Sequence, residues 1–219
     1  MVRNVLLFCI ATALLATSAA ASSIVTNGDF SAGGGSFSGW TTTACTGTCT
    51  GTTWSVTDVA YPATTGAPTT YAATNSCTGA GCLSTTTGET ISQSLTTVVG
   101  QTYYLAFWYD PAGHTGGPGE GTDALDVYWN GVEVDALLNE TGSTWQEYIV
   151  TGLTVSSTST TLKFIGEADS NTLALTEISA ATGAPPDPPA PEPASLTLIG
   201  GALLGFGAIT AALRRRRKV

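Results

Sequence analysis

Short stretches that alternate apolar and polar side chains recur through the middle of this 219-residue chain, and they leave room for one kind of fold. Trp54–Thr57, Ile91–Leu95, Tyr103–Tyr109, Leu125–Trp129, Trp145–Val150 and Leu162–Ile165 each run four to seven residues and read as strands. Asn130-Gly131, set between Leu125–Trp129 and Val132–Val134, is a type I′ hairpin signal because both turn residues tolerate positive φ. Between the ends of the chain no apolar pattern at i, i+3, i+4 is sustained, so helices that would link parallel strands are missing. The expected fold is all-β, an antiparallel β-sandwich, and within that class a jelly roll.

The two ends are of another kind. Met1-Val2-Arg3 is a short basic start, Val5–Ala16 an apolar core, and Ala19-Ala20-Ala21 fits the small-x-small rule of a secretory signal peptide cleaved after Ala21. At the other end Pro191-Glu192-Pro193 precedes an uncharged run from Ala194 to Leu213, whose 20 residues make a helix of roughly 30 Å, the hydrocarbon thickness of a bilayer. Arg214, Arg215, Arg216, Arg217 and Lys218 then act as a stop and keep the terminus cytoplasmic. The expected organisation is a signal peptide over 1–21, a β-sandwich ectodomain over 22–181, a Pro-rich linker over 182–193, a transmembrane helix over 194–213 and a basic cytoplasmic tail over 214–219.

Pro191-Glu192-Pro193, the Gly-rich apolar run and the terminal Arg cluster together resemble the bacterial PEP-CTERM protein-sorting domain, over about residues 190–219. The resemblance implies a partner, an exosortase: a membrane-embedded cysteine transpeptidase that recognises the motif and removes the tail, often in organisms that make extracellular polysaccharide. The plain alternative is a single-span anchor in which Pro-Glu-Pro is one accident of a Pro-rich stretch. Either way the expected location is across the inner membrane, first as an anchored precursor and then at the cell surface or in the matrix.

Charge follows the same partition. All 16 acids fall between residues 22 and 193 with Lys163 the one base among them, so this portion carries 1 − 16 = −15. Phosphate contacts need Lys and Arg, which excludes nucleic acid as a partner. Cys9 goes with the leader, leaving Cys45, Cys49, Cys77 and Cys82 in the exported portion. An even count in an oxidising compartment favours disulfides, and the tight spacings favour two local staples over a cross-pairing of the two loops. A four-thiolate zinc site is the rival reading.

Val25–Phe30 followed by Gly39-Trp40, then Ile91–Leu95, Val99–Trp108 and Asp126–Gly131, is similar to the succession found in galactose-binding-like jelly rolls, including many carbohydrate-binding modules. Such domains often hold a structural calcium near their joined first and last strands, for which Asp29 and Glu177 are the candidates in this chain. The closing strand Leu175–Ser179 keeps only one of the paired acids usual there. Sugar binding on such a fold uses exposed aromatic faces beside polar groups, and Trp54, Tyr61, Trp108, Tyr128 and Trp129 are the candidate platforms. Aromatics in alternating strands also fill cores, and Tyr128 and Trp129, as neighbours on one strand, must point to opposite faces.

Catalytic signals are sparse. His114 is the one histidine, in a Gly-rich loop, and neither a Gly-x-Ser-x-Gly elbow nor a Walker loop is present. The leading expectation is an exported, non-catalytic surface or matrix protein associated with exopolysaccharide. A specific carbohydrate-binding module is the alternative, and a glycoside hydrolase built on two of the carboxylates comes third.

Overall fold

A computed structural model of the chain describes residues 22–51, 53–58, 71–79, 81–111, 122–141, 145–169 and 172–185. The expected signal peptide, Pro-Glu-Pro motif, transmembrane helix and basic tail lie outside these residues, as do Tyr61 and His114. Among the described residues no helix is long and apolar enough to cross a membrane.

Among the described residues there are ten strands: β1 (Thr41–Thr43), β2 (Ser55–Asp58), β3 (Tyr71–Asn75), β4 (Thr90–Thr96), β5 (Thr102–Asp110), β6 (Asp123–Trp129), β7 (Val132–Leu138), β8 (Gln146–Thr154), β9 (Ser159–Ala168) and β10 (Leu173–Thr182). They form two five-stranded sheets, ordered β1-β4-β9-β6-β7 and β2-β3-β10-β5-β8. Every pairing is antiparallel. The pairs β3 with β10, β4 with β9, β5 with β8 and β6 with β7 nest inside one another. They are the rungs of one long ribbon closed at the β6–β7 hairpin, and rolling that ribbon up gives the jelly-roll arrangement. Asn130 (φ 53°) and Gly131 (φ 79°) make the closing turn, with both residues at positive φ as the dipeptide demands.

Alternation decides which side chains meet between the sheets. On β5, Tyr103, Leu105, Phe107 and Tyr109 face the core, while Tyr104, Ala106 and Trp108 face outward. Leu125, Val127 and Trp129 of β6 and Leu162 and Phe164 of β9 meet them from the opposite sheet. The segment before β1 plugs one end. Trp40 packs on Phe30 and Phe164 with ring centroids 5.6 and 6.3 Å away, and its indole N–H donates to the Asn27 carbonyl at 3.0 Å. Gln93 faces inward from β4 and holds this segment, accepting from Thr26 N at 2.8 Å and donating to the carbonyls of Thr26 and Gly39.

The same opening segment runs beside the last strand. Ile24 N donates to Ala180 O at 2.8 Å and Ile178 N to Gly28 O at 3.0 Å. Beside those contacts, between Thr176 and Ser179, β10 shifts register against β5, and Glu177 in the irregularity has φ 51°. Disulfides join Cys45 to Cys49 and Cys77 to Cys82, the two local staples expected from their spacing.

Candidate functional site

The outer face of the second sheet carries a partly exposed tryptophan with polar side chains on the neighbouring strands. Its centre is Trp108 on β5, partly exposed and packed on a small cluster of Ala72, Trp145 and Ala174. Register places Thr176 of β10 on one side of Trp108 and Glu147 of β8 on the other. Asp110, two residues further on the same face of β5, lies opposite Ala174. On the β2–β3 side Thr74 Oγ1 sits 3.0 Å from both Ser55 Oγ and Thr57 Oγ1, a ladder of hydroxyls along the sheet. The face thus brings together one partly exposed ring, hydroxyls two and three strands away on β3 and β2, and the carboxylates of Glu147 on β8 and Asp110 on β5 itself. Stacking on a pyranose face and hydrogen bonding to its hydroxyl groups use functions of these kinds.

The other aromatic candidates fall elsewhere. Trp54 (5% exposed) and Trp129 (3% exposed) are core residues, so neither presents a platform; Trp54 donates its N–H to the Glu89 carbonyl at 3.4 Å. Burial between the sheets is the reason: Trp129 takes an inward position on β6, and Trp54, just before β2, packs into the same core. Tyr128 does face outward, as its position beside Trp129 requires, but it is only 7% exposed. Lys163 Nζ stands 4.6 Å from its ring centroid and its hydroxyl donates to Glu133 at 3.0 Å, so its π-face is already occupied by a cation. Burial first, and then the hydrogen bond to Glu133, push the Tyr128 hydroxyl up to about 12.

On the outer side of the first sheet β9 carries Glu167, which sequence reasoning did not single out. It is 5% exposed and its carboxyl is raised to about 7 by burial first, then by the nearby charges of Asp169, Asp123 and Asp126. Asp126 is raised in the same way, by burial and by Glu133. Glu89 is raised by burial against the opposing pull of its hydrogen bond from Asn75 Nδ2 at 2.8 Å. Acids crowded without a base titrate upward, and a carboxyl half-protonated at neutral pH is the kind of group general acids use. Glu167 is nonetheless covered, which keeps a polysaccharide chain away from it.

Asp29 and Glu177, the calcium candidates, lie on adjacent segments through the Ile178–Gly28 hydrogen bond. Asp29 is engaged locally, accepting from Ser31 N at 3.3 Å and from Ser31 Oγ at 2.7 Å. Among the described residues no third carboxylate joins them in a metal-holding group. Calcium takes six to eight oxygens, and this seam leaves most of that coordination to backbone carbonyl groups and water.

No protein-family model matches the sequence, and no curated protein matches it either. In the course of its chain it is similar to the enzymatically active domain of tailspike protein 4 from bacteriophage CBA120, at 16% identity over 74% of this chain with a TM-score of 0.48. That match takes in 21% of the tailspike chain. It is also similar to TmCBM61, solved in complex with β-1,4-galactotriose, at 15% identity over 74% of this chain and 99% of that one, TM-score 0.48. The CBM22-1 xylan-binding domain of Paenibacillus barcinonensis Xyn10C is similar at 14% identity over 78% of this chain and 100% of its own, TM-score 0.48.

Proposed function

We propose that this chain is an exported, non-catalytic β-sandwich that associates with polysaccharide through the outer face of its second sheet. The observation that carries the reading is Trp108, partly exposed between the Ser55–Thr57–Thr74 hydroxyls and the Glu147 and Asp110 carboxylates. A carboxylate beside the ring favours neutral sugars, because it repels acidic ones and accepts hydrogen bonds from hydroxyls. Trp108→Ala tests the reading on a glycan array. The wild-type chain is expected to retain at least one neutral polysaccharide, and the variant to lose at least about tenfold in affinity, the weight of one stacked aromatic. Equal retention by the variant would move the site off this face.

Delivery belongs to the same proposal. A portion of charge −15, two disulfides and the Pro191-Glu192-Pro193 motif ahead of an apolar run all suit export followed by exosortase-type processing into the envelope or matrix. Intact mass of the protein recovered from its producing cell decides this part. The expected mature end lies near residue 193 in the wild type, with uncut precursor accumulating in Glu192→Ala; full-length membrane protein in both would overturn it.

A further inference from the structure

The fold gathers all four cysteines of the described chain at one place, and we propose that in the reduced protein they form a tetrathiolate site for a single zinc ion. Cys45 and Cys49 lie on the loop after β1, and Cys77 and Cys82 lie on the connection from β3 to β4. The two loops are clamped by the Thr50–Thr78 bridge, whose N–H···O bonds measure 3.0 and 2.7 Å and whose hydroxyl oxygens are 2.7 Å apart. The Sγ atoms of Cys49, Cys77 and Cys82 all lie within 4.8 Å of one another, and Cys45 is bonded to Cys49. Zinc–sulfur bonds of about 2.3 Å set tetrahedral sulfurs about 3.8 Å apart. Cys49 therefore has at most about 1 Å to close on Cys77 and Cys82, while each bonded pair, once reduced, opens to that spacing.

The surroundings fit a closed, structural site. Cys77 and Cys82 are fully buried, and Cys77 is fixed through its N–H to Asn75 Oδ1 at 2.9 Å and its carbonyl to Ala168 N at 2.7 Å. Gly81 permits the close approach, since a Cβ there would stand 3.0 Å from Cys49 Sγ. Gly47 N donates to Cys45 Sγ at 3.4 Å, a contact that favours thiolate over thiol. Cys45 and Cys49 are the more exposed pair and so the entry point for a reductant. Each disulfide takes two electrons and two protons from a dithiol, which leaves as its own disulfide. The four thiols then release four protons to solvent as they bind one Zn²⁺, leaving a dianionic tetrathiolate. The same loops thus have two closed states, oxidised and metal-loaded.

The test uses the full chain reduced with a trialkylphosphine, which departs as its oxide with oxygen from water, and titrated anaerobically with Cd²⁺. The expected result is one Cd²⁺ per chain with thiolate-to-metal ultraviolet absorption, displaced by Zn²⁺, and at least tenfold weaker in both Cys49→Ser and Cys77→Ser. Failure of the reduced wild type to bind one equivalent overturns the proposal. So does full binding by a Cys77→Ser, Cys82→Ser double variant, which would reduce the site to one local pair. If reduction melts the chain, metal is expected to restore its β circular dichroism, and no recovery counts against the site.

Discussion

Glu167 shows what a single crowded carboxyl does to an acidic protein. Its folded value of about 7 lies above the ordinary 4.5, so above pH 4.5 the folded state holds a proton that the unfolded chain has released. Below pH 4.5 the group is neutral in both states and costs nothing. As pH rises through 7 it ionises among Asp169, Asp123 and Asp126, and stability falls. Allowing for water that reaches the carboxylate once it ionises, the loss is on the order of 1–2 kcal/mol. Glu167→Gln is therefore expected to raise the melting temperature at pH 8 and to leave it unchanged at pH 4; a thermal melt at both pH values checks this, and an equal shift at both would contradict it. Residue alternation made part of this scale legible beforehand. That Tyr128 and Trp129 oppose each other follows from sequence spacing alone, and they do. The lysine that covers Tyr128 comes from β9, more than 30 residues further along, and local pattern carries no trace of it.

Among the elements, the seam between the opening segment and β10 bears the tightest constraint. A Cβ at Gly28 would overlap the carbonyl oxygen of Ile178 and stand 2.9 Å from its carbon. Backbone on both sides leaves nothing flexible to give way, so Gly28→Ala is expected to cost about 3 kcal/mol or more. Gly34→Ala is the control: its Cβ meets nothing within 4 Å, and its φ of 83° alone predicts about 1 kcal/mol. Urea midpoints separate the two, and equal costs would mean that the seam is free to move. Strands β4, β5, β6, β8 and β9 are readable from sequence because large apolar side chains recur at every second position toward the core, although the outer faces of β5 and β6 are largely covered as well. Two others leave no such mark. Tyr71-Ala72-Ala73-Thr74-Asn75 is covered on both faces, so nothing selects for alternation there, and the three threonines of β1 are all exposed. Val132–Val134 proves to be the start of a longer strand that runs to Leu138, past a register shift that breaks its period.

At the scale of the molecule, closure comes from pairing the first long strand with the last. Leu173 lies opposite Asn75 across nearly a hundred residues of sequence, and that pairing sets Ala72 and Ala174 side by side under Trp108 and Trp145. Here the sequence was informative about class and silent about site. Composition and hairpin chemistry lead to a sandwich, whereas the neighbours of Trp108 are assembled only by the roll. The hydroxyl ladder and the two carboxylates flank Trp108 for the same reason. Binding of polysaccharide to this face and to no other is checked by mapping amide and indole chemical-shift changes in the wild-type chain titrated with the polysaccharide it retains best. Changes are expected at the Trp108 indole and along Thr57, Thr74 and Glu147, with Lys163 and Tyr128 on the opposite sheet unmoved. Changes centred on Lys163 and Tyr128, with Trp108 silent, would contradict it.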